Sequence, residues 1–253
     1  VVLGRSAPPV PEELSPNPSP AEIVTGEPLP PPLTFGRLFT EITWDVLWIA
    51  ACVVLLVTYL WAVHKLRRRG DAWPVHRTIL WVVGCLVLLY ITCGGIAVYG
   101  RIYFSVHMFD HMALSMIAPP LLVLGAPITL LLRATSARHD GSRGLREWVL
   151  GLVHSRWVRF LSHPVVAALN FAGSLVVFYY SNLFGLALST HLGHELMMLH
   201  FTAAGYLFVE SMIGVDPHPS RLSYPLRLIV LFVTMAFHAF FGLVPISRWV
   251  RSL

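Results

Sequence analysis

The sequence predicts an all-α, polytopic transmembrane bundle of about six helices, and three observations carry that expectation. Of 253 residues, 56% are hydrophobic and only 12% charged, about half the charged share of an ordinary soluble domain. Mean hydropathy is +0.68. Apolar windows of about 20 residues, the length that crosses a hydrocarbon core at 1.5 Å per residue, recur near residues 44–64, 78–98, 107–132, 164–185, 190–213 and 225–247. No internal repeat of 20 to 50 residues is visible, and the windows do not read as two copies of three.

Residues 1–40 are expected to form a disordered extracytoplasmic linker. "SAPPVPEELSPNPSPAEIVTGEPLPPPLT" holds ten of the nineteen prolines and few large apolar residues, a composition that builds no core. Val1 is not an initiator methionine and nothing before the linker resembles a signal peptide, so the chain is expected to begin inside a longer product. Residues 41–253 are the expected bundle.

Loop charge sets the expected orientation. Lys65, Arg67, Arg68, Arg69 and Arg77 follow the first window; Arg133, Arg138, Arg143, Arg146, Arg156 and Arg159 follow the third; Arg221 and Arg227 follow the fifth. These loops alternate to one side, which the positive-inside rule makes cytoplasmic. The opposite loops carry only Arg101, with Arg5 and Arg37 in the linker and Arg248 and Arg251 at the far end. Topology thus explains the basic pI. A nucleic-acid surface, which would interleave basic residues with exposed aromatics on a soluble face, is not indicated.

The third window opens on "HMFDHM". At 100° per residue His107 and His111 lie 40° apart on adjacent turns, with Asp110 on one flank and Met108, Met112 and Met116 on the other. In the fifth window "HLGHELMMLHF" sets His191, His194, Met197 and His200 along an i+3 row, with Glu195 beside His194. Met235 and His238 stand i, i+3 in the sixth. Three windows thus place His and Met toward the extracytoplasmic side. His64, His76, His139, His154, His163 and His218 fall at the expected cytoplasmic ends.

Imidazole and thioether without a thiolate pair match Cu(I), whereas zinc would favour cysteine or carboxylate closure. Asp110 and Glu195 would support the site by accepting the free imidazole N–H, or would be helix-end charges. His238 is a ligand or a packing residue, Met116 and Met198 read as core, and Asp45 and Glu210 read as interfacial. Cys52, Cys85 and Cys93 form no CxC or CxxC and read as small packing residues. In "MIAPPLLVLGAP", Pro119 and Pro120 remove two N–H donors and crowd the carbonyls near Ser115 and Met116, so the helix is expected to kink or break there, with Ala118 displaced from helical geometry.

"YGRIYFSVHMFDHMALSMIAPPLLVLGAPITLLLRA", "GHELMMLHFTAAGYLF", "IGVDPHPSRLSYPLRL" and "TMAFHAFFG" resemble the actinobacterial branch of the CtaG-type cytochrome c oxidase assembly factors, from about Leu33 onward. The resemblance implies oxidase assembly in a bacterial plasma membrane, with delivery of copper to the catalytic subunit of the oxidase. His107, His111, His194, His200 and His238 match the family's histidine motifs; His191 extends the row beyond them. Relatives are often fused behind a CopD-like copper-resistance membrane domain, which would account for the Val1 start and the linker. Members generally carry a seventh membrane segment after a loop with an Asp-Gln pair, and this chain stops at Leu253. The expected function is a copper-binding assembly factor and not an enzyme. A haem-binding electron-transfer protein, with His200 and His238 as axial ligands, is the alternative, and a copper permease a third.

Overall fold

The computed structural model describes residues 30–136, 144–217 and 223–250, with 242–250 as backbone alone. His139, His218, Arg138, Arg143 and Arg221 lie outside the described residues, as does the linker through residue 29. Helices are the regular structure throughout the described residues. A short α1 (Arg37–Thr40) precedes α2 (Val46–Arg68), α3 (Val75–Cys93), α4 (Gly95–Gly100) and α5 (Phe104–Met112). A π-helical turn (Ala113–Ile117) leads into α6 (Ala118–Leu124) and α7 (Pro127–Ala134). Then come α8 (Leu145–Val153), α9 (Arg156–Leu161), α10 (Pro164–Tyr179), α11 (Leu183–Ser189), α12 (His191–Ile213) and α13 (Tyr224–Val250).

Each of the six apolar windows is met by helix. Among the described residues, four stretches, Val46–Arg68, Val75–Gly100, Ser105–Ala134 and His191–Ile213, are long and apolar enough to cross a membrane. α10 has 16 residues, about 24 Å at 1.5 Å per residue, short of a hydrocarbon core of about 30 Å. The fourth window does not continue to residue 185 as one helix. The chain turns at Ser181 and Asn182, where Ser181 Oγ accepts from Leu183 N at 3.2 Å and α11 starts afresh.

The third span is the centre of the bundle. α6 packs on α3 at one side and α12 at the other, α2 lies beside α3 and α7, α10 and α11 flank α12, and α13 rests on α10. Cys52, Cys85, Leu88, Leu114 and Leu122 fill the seam between α2, α3 and the third span. All three cysteines are buried free thiols, as their apolar surroundings predict. α2 turns Val53, Val54, Val57 and Leu60 outward, a surface suited to lipid.

The double proline acts differently from the expected break. Pro119 and Pro120 occupy the first turn of α6, where missing N–H groups cost least. Ala118 keeps helical angles, φ −67° and ψ −45°, and its N–H reaches back five residues to Ala113 O. A widened turn thus absorbs the mismatch and the helix continues through it. Ser115 Oγ donates to His111 O at 2.7 Å, and Gly205 of α12 lies directly against the Ser115 backbone.

The helix is interrupted about two turns further on. Ala126, fully buried, adopts φ +48° and ψ +57° ahead of Pro127, because a residue before proline is kept from right-handed helix. Asp216 secures the restart: its carboxylate accepts from Ile128 N at 3.1 Å, Thr129 N at 2.8 Å and Thr129 Oγ1 at 2.6 Å. Tyr59 OH donates to Gly125 O at 2.8 Å and is held by Trp73 Nε1 at 3.2 Å. Arg77 and Arg133 stack on Trp73, so basic loop residues gather at this end of the bundle.

The opposite end is closed by the residues before α2. Thr43 N donates to Cys93 O at 2.8 Å, Tyr90 OH to Leu38 O at 3.0 Å, and Tyr99 OH to Pro31 O at 2.9 Å. Asp45 is buried and caps α2 through Oδ1, accepting from Leu47 N and Trp48 N. Glu210 is buried as well and accepts from Asp216 N at 3.1 Å. Both carboxylates thus accept from backbone N–H groups at or near helix ends.

Candidate metal centre

α5 places two histidines one turn apart with their rings facing. His107 Nε2 and His111 Nε2 are 2.9 Å apart and the ring centroids 4.3 Å. One ring donates and the other accepts, so the accepting ring presents a bare nitrogen to its partner. His107 is 4% exposed and His111 1%. His107 is also hydrogen-bonded to the backbone at Gly100, which orients its ring. Phe201 packs edge-on against His111 at 4.7 Å, with Tyr179 at 6.1 Å. His111 Nδ1 is buried without a hydrogen-bond partner.

α12 brings the third imidazole. His194 is electrostatically coupled to both His107 and His111, and Thr190 fixes its helix start by accepting from Gly193 N at 3.1 Å. Met108 is buried beside this pair in sequence and Met112 is half-buried. Asp110 is 4% exposed, with Oδ1 lacking a hydrogen-bond partner. It is electrostatically coupled to Tyr179.

The other candidates lie in different surroundings. His191 is exposed and pairs with Glu195, Nδ1 to Oε1 at 3.3 Å. Met197 is buried among Leu175, Ala187, Phe201 and Phe241. His200 is exposed and, with Met197, lines an apolar groove of about 520 Å³ between α10, α11 and α12. His238 is buried and stacks on Phe171 at 4.4 Å. The i+3 row of α12 therefore divides: His194 is half-buried, while His191, Met197 and His200 each meet different partners. Met198 is core, and Met116 packs beside Phe171 and Phe208. His64, His76, His154 and His163 are exposed.

Two residues arrive here that the sequence did not assign to the site: Asp45, read there as interfacial, and Tyr179. Asp45 reaches His191 and Glu195 from α2, and Tyr179 covers His111 from α10. No spacing rule joins these residues, since each arrives on a separate helix.

Fold and site together define a helical membrane protein with a buried histidine cluster at one end of its bundle. The chain belongs to the cytochrome c oxidase caa3 assembly factor family, whose profile matches residues 57–248. It is 46% identical over 223 residues to uncharacterized proteins of Mycobacterium bovis and Mycobacterium tuberculosis, and 44% identical to one of Mycobacterium leprae. Each match covers 88% of this chain and 34% of the relative. The chain thus spans about a third of the length of the curated relatives it matches. No solved structure matches it.

Proposed function

We propose that this chain is an integral membrane assembly factor that binds Cu(I) at His107, His111 and His194 and passes it to cytochrome c oxidase. The observation that carries the reading is the buried, facing imidazole pair of His107 and His111. Two polar rings one turn apart in an apolar segment are costly to keep, which favours a role beyond packing.

The donor set suits the ion. Imidazole nitrogens about 2 Å from a bound metal stand roughly 3.3–4 Å apart, so the 2.9 Å pair needs to open by less than about 1 Å. His107, oriented by the Gly100 backbone, turns Nε2 toward its partner. His111 has a second nitrogen with no competing hydrogen bond. Met108 and Met112 offer thioethers for a second, weaker coordination state. Ligand exchange between such states lets the ion leave without a redox step. The oxidase is the proposed recipient because of the family, and the cluster is placed on the extracytoplasmic side because basic loop residues lie at the other end.

Nothing in the geometry favours the haem reading. One face of His238 is covered by Phe171, and His200 is turned to the outer groove.

Anaerobic Cu(I) titration of the purified protein against a competing chelator tests the proposal. Wild type should hold the ion, and His107→Ala/His111→Ala, which removes two direct ligands, should weaken binding by more than the roughly 10–100-fold that losing a supporting partner of a ligand costs. Cells carrying the double variant should also assemble oxidase with less copper. Equal affinity in the two proteins would remove the cluster from the mechanism.

A further inference from the structure

Beside the histidine cluster the bundle brings together a second donor group of a different chemical kind. Asp45, His191 and Glu195 each present a ligand atom, and the three atoms lie within 4.8 Å of one another. We propose that they form a separate site for a divalent transition-metal ion of the Zn2+ type, joining the start of α2 to the start of α12. The site is independent of the Cu(I) reading, because its donors are one imidazole and two carboxylates without a thioether. Such nitrogen and oxygen sets select divalent ions over Cu(I).

Local structure prepares each donor. His191 and Glu195 stand i, i+4 on the first turns of α12, the spacing that puts two side chains on one helix face. Asp45 commits Oδ1 to the Leu47 and Trp48 N–H groups, which holds the carboxylate in place and leaves Oδ2 for a ligand. Glu195 is 7% exposed, and its Oε2 is buried with no hydrogen-bond partner.

That unpartnered oxygen is the observation pointing to a cation. Two carboxylates held together in a largely buried position repel unless a proton or a cation lies between them, and a cation competes with the proton for that place. Arg101 couples electrostatically to Glu195, yet supplies one positive charge against two carboxylates. A divalent ion would bridge the two carboxylates directly. Donors about 2.0–2.2 Å from Zn2+ stand roughly 3–3.6 Å apart, within reach of small side-chain rotations here. His191 is half exposed, so the ion has a path from solvent and open positions remain for water.

The experiment is Zn2+ binding by the full chain in detergent, read by competition with a chromophoric chelator. Compared are wild type, Glu195→Gln, Asp45→Asn, His191→Ala and His107→Ala/His111→Ala. Asparagine caps a helix as well as aspartate, so Asp45→Asn removes charge while keeping the start of α2. His191 is exposed enough to be replaced without disturbing the core. Wild type and the α5 double variant should bind one equivalent alike, and the other three variants should bind at least tenfold more weakly. Unchanged Zn2+ affinity in Glu195→Gln, Asp45→Asn and His191→Ala would overturn the site. So would loss of Zn2+ in the α5 double variant alone, which would place the ion at the neighbouring cluster.

Discussion

Asp216 shows how much one side chain can hold. It is 1% exposed, satisfies three donors at the start of α7, and ties its own N–H to Glu210. Asp216→Ala should therefore cost about 2–3 kcal/mol, from a lost cap and buried N–H groups left unsatisfied. Thermal unfolding in detergent would register this as a clear drop; an unchanged midpoint would show that water replaces the carboxylate. The sequence offered little hint of this role, since Asp216 and Thr129 are far apart along the chain. The α5 pair is the contrasting case. Its i, i+4 spacing is a local property of helix, so the facing of His107 and His111 was readable before any tertiary contact was known.

Among the elements, the third span departs most from regular helix. Sequence located the irregularity at Pro119 and Pro120 but left its form open. A π-helical turn and a break both relieve the proline clash, and the choice depends on what packs outside. Here Gly205 lies against the bulged backbone: a Cβ added there would meet Ser115 Cα at 2.8 Å, closer still to Ser115 O. Gly205→Ala should destabilise the protein by about 1–3 kcal/mol, the range for overpacking. Because Ser115 bonds back to His111 O, the same variant should also weaken Cu(I) binding. Wild-type stability and affinity would mean that α12 moves aside freely. α10 illustrates a different limit of sequence. Hydropathy runs on through residue 185, while the turn at Ser181 and Asn182 ends the helix, since apolar composition does not record where backbone direction changes.

At the scale of the molecule, alternating helices divide the chemistry between two ends. Arg77 and Arg133 gather around Trp73 at one; His107, His111, His194 and the Asp45 group lie at the other. The extracytoplasmic placement of the histidine end can be checked by labelling. The native cysteines are buried, so an impermeant maleimide on intact cells should report introduced thiols with little background. Asn182→Cys should label from outside and Arg69→Cys only after permeabilisation, both positions being exposed. The reverse pattern would put the cluster on the cytoplasmic face.

The sequence alone determined that the chain is a helical membrane bundle, and it located the α5 histidines. Hydropathy and helical period are properties of contiguous residues, and the solvent reads them locally. Tertiary structure decided which donors meet. Asp45 and Tyr179 reach the site because α2, α5, α10 and α12 end together in space. His200 and His238 take other surroundings because each helix has one rotation about its axis, fixed by contacts such as Gly205 on Ser115 and Phe171 on His238. Rotation and neighbour choice depend on close packing between distant segments, and no stretch of sequence contains that information by itself.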